Sequence, residues 1–181
     1  MYGLVNQGIQ GLIIDNYGAD IWEKIKEKAG FSNVTFLASQ LYDDSVTFTL
    51  ASTASEILGV SLENVLKDFG KYWVLNIGKE KYGTLMKSGG DSIIQFLKNL
   101  PNFHSRVMLI YPKAETPEFK VDIISENKIH LHYYSSRIGL TDFMFGLIDG
   151  LSIFFDAPCS VNHLKHTETD TTYDLFEITV Q

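Results

Sequence analysis

The sequence predicts an α+β fold in which a helical N-terminal half packs on a C-terminal four-stranded antiparallel sheet carrying one long helix. Three observations lead there. As far as about Tyr111, apolar residues recur every three or four positions; beyond Pro117 the period drops to two; and between two alternating stretches, Phe143 to Phe154 returns to helical spacing.

Val5, Ile9, Leu12 and Ile13 share a helical face, and Asn16-Tyr17-Gly18 stops the run. Asp20, three residues before Glu23, reads as a capping box opening a short helix with Trp22 and Ile25 on one side, ending near Gly30. Tyr42-Asp43-Asp44 reads as a turn, and Val46 to Leu50 fits either an extended or a helical segment. Ser61 caps a helix faced by Leu62, Val65, Leu66, Phe69 and Trp73; Gly78 to Gly90 reads as a connection around Tyr82 and Leu85. Asp91 is the expected cap of a helix with Ile93, Ile94, Leu97 and Leu100 inward, which Pro101 closes or kinks. Phe103 to Tyr111 is again helical, and Pro112 and Pro117 bracket a turn. Two hairpins follow, 119–123 with 129–137 and 161–166 with 173–180, separated by the long helix. No repeat or linker interrupts the 181 residues, so one domain, 1–181, is expected.

Composition narrows the function. Apolar residues make up 45% and aromatic residues 13%, and the net charge of −7 opposes binding to nucleic acid or to an anionic membrane surface. One cysteine, Cys159, excludes an intramolecular disulfide and a cysteine-cluster metal site, which points to a reducing compartment, the cytoplasm. No apolar stretch reaches the length of roughly 18 residues that a membrane helix needs. Nucleotide-binding loops, a nucleophile elbow and a zinc-protease motif are all missing, so enzymatic turnover is not expected. Ser88-Gly89-Gly90-Asp91 is ordinary punctuation before a helix.

The most informative segment is Ile129 to Arg137. On a strand, Tyr133, Ser135 and Arg137 share the side of Ile129 and Leu131, which places a phenol, a hydroxyl and a guanidinium on the inward face. Such a trio suits a pair of carboxylates beside an apolar body. Alternatively, Arg137 pairs with a protein carboxylate such as Asp142, or ends in water. His104, on a helical face with Val107, is either a structural histidine or the single axial ligand of a haem. His130 and His132 face the opposite side of the strand, toward solvent, and His163 and His166 read as a solvated polar edge.

Taken together, these residues resemble the haem–nitric oxide/oxygen binding (H-NOX) family, which includes bacterial gas sensors and the N-terminal domain of the soluble guanylate cyclase beta subunit. The likeness covers essentially the whole chain. It is carried by Met1-Tyr2-Gly3-Leu4-Val5-Asn6, Asn16-Tyr17-Gly18, Trp22-Glu23, Phe69-Gly70-Lys71, the Leu100-to-His104 stretch and Tyr133-x-Ser135-x-Arg137, as in the cyclase and cyanobacterial branch.

The resemblance implies haem b between the helical half and the sheet. It assigns His104 as the iron ligand, Tyr133, Ser135 and Arg137 as the clamp on the haem propionates, and Pro117 as a residue pressing on the haem. Counting back from Gly146, which matches a family glycine, the position holding a hydrogen-bonding tyrosine in dioxygen-binding members is Phe143, with Met144 beside it. Trp73 and Val5 stand at other positions of that distal wall. A wall without a donor implies binding of nitric oxide and carbon monoxide and exclusion of dioxygen, with Tyr2 and Tyr72 the nearest hydroxyls that could change this. Signalling would follow weakening of the iron–His104 bond and reach a partner in trans: a histidine kinase, a diguanylate cyclase or phosphodiesterase, or a guanylate cyclase. Alternatively the chain is a fragment cut from a cyclase. A dioxygen-binding haem protein and a haem-free interaction module of the same fold are the competing expectations.

Overall fold

In the computed structural model, which describes residues 1–113, 115–165 and 172–181, helices α1 (Gly3–Tyr17), α2 (Ala19–Lys28), α3 (Asp44–Leu58) and α4 (Leu62–Tyr72) come first. A π-helical turn, Trp73–Gly78, joins α4 to α5 (Lys79–Ser88); α6 spans Ile93–Met108. Strands β1 (Glu118–Ile123) and β2 (Lys128–Ser135), helix α7 (Thr141–Phe154), and strands β3 (Cys159–Lys165) and β4 (Thr172–Val180) complete the order. The sheet is antiparallel throughout, in the order β1-β2-β4-β3. The α+β architecture is thus the one the periodicities predict. Among the described residues, no helix is long and apolar enough to cross a membrane.

Local details differ from the sequence reading in physically instructive ways. Asp20 is no cap: α2 starts at Ala19 behind Gly18, with no side-chain cap, and Asp20 merely places a negative charge in the first turn. The ambiguous stretch 46–50 is helical, because Asp43 accepts a hydrogen bond from the Ser45 N–H and opens α3. The expected connection 78–90 is mostly α5. The cap of α6 is Ser92, which accepts from Gln95 N, and not Asp91. Pro101 neither closes nor divides α6. It lies on the exposed face, where its missing N–H leaves one carbonyl without its helical donor.

Two apolar clusters form. One gathers Ile9, Ile13, Trp22, Leu50, Leu66 and Phe69 within α1 to α4; the other gathers Phe96, Leu97, Leu131, Ile148, Phe176 and Ile178 between α6, α7 and the sheet. The helices α4 and α7 bridge them at very close range, since a Cβ on Gly70 would lie 2.2 Å from the Phe143 carbonyl oxygen, and one on Gly146 would lie 2.0 Å from that of Lys67. Only glycine permits this approach.

Candidate functional site

A cavity of about 690 Å³ opens between the two clusters, within the range of cofactor sites. Its walls take Ile9, Leu66 and Phe69 from one cluster and Leu97, Leu131 and Ile148 from the other. All nine residues singled out from the sequence line it: Val5, Trp73, His104, Pro117, Tyr133, Ser135, Arg137, Phe143 and Met144.

His104 reaches the cavity because α6 repeats its inward face at Ile93, Phe96, Leu97, Leu100 and Phe103, and the next turn of the same stripe is His104 with Val107. The imidazole packs edge-on against Phe119, ring centroids 5.0 Å apart. Its Nδ1 is sealed from solvent and has no hydrogen-bond partner. Burial lowers the pKa of His104 from 6.5 to about 4, so the ring stays neutral at physiological pH. A neutral imidazole keeps a lone pair for a metal; a protonated one would not.

Across from it, β2 alternates strictly. Ile129, Leu131 and Tyr133 are buried on the inner face, and Ser135 ends the strand with its hydroxyl accepting from Arg137 N at 3.0 Å. Arg137 lies two residues beyond the strand, in the loop toward α7, and still faces the cavity. Its partner is not Asp142, which pairs with Lys67 instead. Arg137 Nε donates to Asp44 Oδ2 at 2.6 Å, Nη2 to Oδ1 at 3.5 Å, and Nη1 to the Glu115 carbonyl. The amino group of Met1 also donates to Asp44. Burial pushes the Asp44 carboxyl up, but these hydrogen bonds and the Arg137 charge outweigh it and hold the group below its ordinary value. Ninety-three residues separate Asp44 from Arg137. No local spacing could have revealed the pair; the only sequence signal was an aspartate in a turn. Tyr133 is raised by burial first and by Asp174 next, against the lowering effect of Ser135 and Arg137, so its phenol remains a donor.

The opposite wall is apolar. Phe143 tilts against Phe69, 4.9 Å between centroids, and Trp73 meets Phe69 edge-on at 6.0 Å. Tyr72 does not line this cavity, and its hydroxyl donates to Asp15 at 2.6 Å. Tyr2 does line it, stacking edge-on with Tyr111 and accepting from Lys113 N.

The remaining histidines lie elsewhere. His130 and His132 are half-buried, not simply solvated: His130 pairs with Glu177, and His132 sits between Asp122 and the Tyr173 hydroxyl. His163 pairs with Asp174 on the inner face of the sheet, so it is no solvated edge. His166 lies outside the described residues. Cys159 is half-buried, with Sγ directed to the Ala157 carbonyl.

The donor set therefore suits a flat apolar cofactor with two carboxylates and one metal: apolar walls, one neutral nitrogen, and hydroxyl and guanidinium donors at one edge. That is the chemistry of a haem.

A family model described as Haem-NO-binding matches residues 2–163. The soluble guanylate cyclase gcy-33 of Caenorhabditis elegans is 28% identical over 169 residues, which cover 93% of this chain and 18% of the cyclase. Soluble guanylate cyclase 89Da of Drosophila melanogaster is 27% identical over 146 residues, 81% of this chain and 22% of the cyclase. The chain thus spans about a fifth of the length of these curated relatives. Among solved structures, an H-NOX protein from S. oneidensis in the Fe(II)NO ligation state superposes with a TM-score of 0.88 at 19% identity, covering 100% of this chain and 99% of that one.

Proposed function

Because the chain belongs to the haem-NO-binding family, a haem-binding gas-sensor group related to soluble guanylate cyclase, we propose that it senses nitric oxide and carbon monoxide, excludes dioxygen and relays the event to a partner protein. The observation that carries this reading is the juxtaposition of a neutral, partnerless His104 with the Tyr133, Ser135 and Arg137 donors across one apolar cavity.

When bound, ferrous haem b would supply the metal that takes up a diatomic gas. His104 offers its nitrogen lone pair to the metal, and no hydrogen bond to Nδ1 strengthens its donation. Tyr133 and Ser135 would donate O–H bonds to the cofactor carboxylates, and Arg137 would add its charge by turning to them from Asp44 and the Glu115 carbonyl. Pro117, at the entry to β1, contributes an apolar contact to the cofactor. Phe143, Met144 and Val5 give the gas side apolar surface without a hydroxyl. Dioxygen, more than nitric oxide or carbon monoxide, would gain from a hydrogen-bond donor on this side. The turn of Tyr72 toward Asp15 supports this selectivity, while Tyr2, which does line the cavity, packs on Tyr111 with its hydroxyl at Lys113 N.

His104 sits on α6 while the carboxylate donors sit on and just after β2, so any change at the histidine moves a helix relative to a sheet. That displacement is the output, with no turnover of substrate, and its reader is a histidine kinase, a diguanylate cyclase or phosphodiesterase, or a guanylate cyclase in the cytoplasm. Residues 1–181 act as one domain. The test is the absorption spectrum of the ferrous protein before and after nitric oxide. A Soret band that shifts to the five-coordinate nitrosyl position supports the reading. A protein that stays colourless after haemin is supplied refutes it, and a stable ferrous–dioxygen complex in air refutes the selectivity.

A further inference from the structure

On the inner face of the sheet, one row of directly opposed residues runs Phe119, Tyr133, Asp174, Lys165 from β1 through β2 and β4 to β3. Opposed side chains on one face stand roughly 5 Å apart at Cβ. Asp174 is only 7% exposed and stands directly beside the phenol that lines the cavity. A carboxylate there carries two penalties. Burial disfavours its charge, and that charge opposes any anion approaching Tyr133.

Its partners answer both. His163 Nε2 lies 2.6 Å from Asp174 Oδ1, and Thr141 Oγ1 donates to Oδ2 at 3.2 Å. The His163 ring is fixed by Phe176, stacked at 5.1 Å, and by Phe145, edge-on at 6.0 Å. Thr141 is the first residue of α7, and its neighbours Leu140 and Phe143 line the cavity. One carboxylate thus ties β3, β4 and α7 together behind Tyr133. Its charge, after burial, also helps keep the phenol protonated.

We propose that His163 is a positioning residue for the porphyrin carboxylates: its hydrogen bond satisfies the buried Asp174 carboxylate beside Tyr133, so that the anion is accepted there. This rests on the haem reading above. The test uses metal-free protoporphyrin IX, whose binding reports the carboxylate clamp without the iron bond, followed by quenching of protein fluorescence.

His163→Phe keeps a ring between Phe145 and Phe176 but takes from Asp174 Oδ1 its imidazole hydrogen bond, and should weaken porphyrin binding by about tenfold. The double variant His163→Phe/Asp174→Asn also removes the carboxylate that has lost this hydrogen bond and should return to within about twofold of the unaltered protein. A merely structural role predicts no such rescue. Unchanged binding by His163→Phe, or a double variant as weak as the single one, overturns the proposal while leaving the haem reading intact. Should His163→Phe fail to fold, Asp174→Asn alone decides: binding at least as tight as in the unaltered protein supports the proposal, and weaker binding overturns it. If the unaltered protein takes up neither haemin nor protoporphyrin, the haem reading falls and this inference falls with it.

Discussion

A methyl group on Gly146, where α7 crosses α4, would sit 2.0 Å from the Lys67 carbonyl oxygen and 3.0 Å from the Gly70 Cα, against an ordinary contact of at least 3.4 Å. Both obstacles are backbone, which no rotamer change can clear, so the two helices must part. Parting them loosens the Phe69–Phe143 contact and the cavity wall it forms. Overpacking costs roughly 1–3 kcal/mol where side chains can yield, and with backbone on both sides Gly146→Ala should cost about 3 kcal/mol. The control is Gly83→Ala: Gly83 lies inside α5 with nothing within 4 Å of an added Cβ. That change should stabilise by about 0.5 kcal/mol. Urea unfolding of the haem-free protein, followed by circular dichroism, reads both. With a slope of about 2 kcal/mol per molar, the Gly146→Ala midpoint falls by about 1.5 M, and the Gly83→Ala midpoint rises by about 0.25 M. A Gly146→Ala midpoint within about 0.3 M of the unaltered protein refutes the close crossing.

Replacing His104 by Gly should release haem and let added imidazole restore it; an unchanged ferrous spectrum in the variant would show that another residue holds the iron. In haem-free protein, His104 titrates at about 4 when folded and 6.5 as a free group, so the unfolded chain binds the extra proton between those values and stability should decline as pH falls through that window. His104→Gln should flatten that slope in urea midpoints measured from pH 7 to pH 4, and equal slopes would contradict the burial of the ring. Phe143→Tyr places a hydroxyl on the gas side and should raise the dioxygen affinity read by titration, about tenfold if the hydrogen bond contributes about 1.4 kcal/mol. No gain in dioxygen uptake would remove Phe143 from the gas-binding wall.

Periodicity made most of the fold legible, because apolar stripes are local: Ile93, Leu97 and Leu100 announce α6, and Ile129 and Leu131 announce the inner face of β2. The same stripes carried the site, since His104 and Tyr133 simply continue them. What stayed hidden was long-range or weakly patterned. Helix α5 carries few apolar residues beyond Tyr82, Leu85 and Met86, and flanking glycines made it look like a connection. The Asp44 partner of Arg137 comes from another half of the chain. Capping was legible only to within a residue: Asp91 and Ser92 are both acceptable caps by type, and backbone geometry alone selects Ser92. His163 looked like surface because its strand edge is polar in sequence, whereas the partner that draws it inward, Asp174, lies across the hairpin.

The wide winding at Trp73–Gly78 sets the angular phase of everything after it. A π turn takes up one residue more than an α turn, and each residue advances a helix by about 100°. Tyr82 and Met86 project into the cavity from beyond that turn. Were the same residues to wind regularly from Leu62 to Ser88, without the extra residue that this turn absorbs, both side chains would swing about 100° around the axis, away from the chamber they now close.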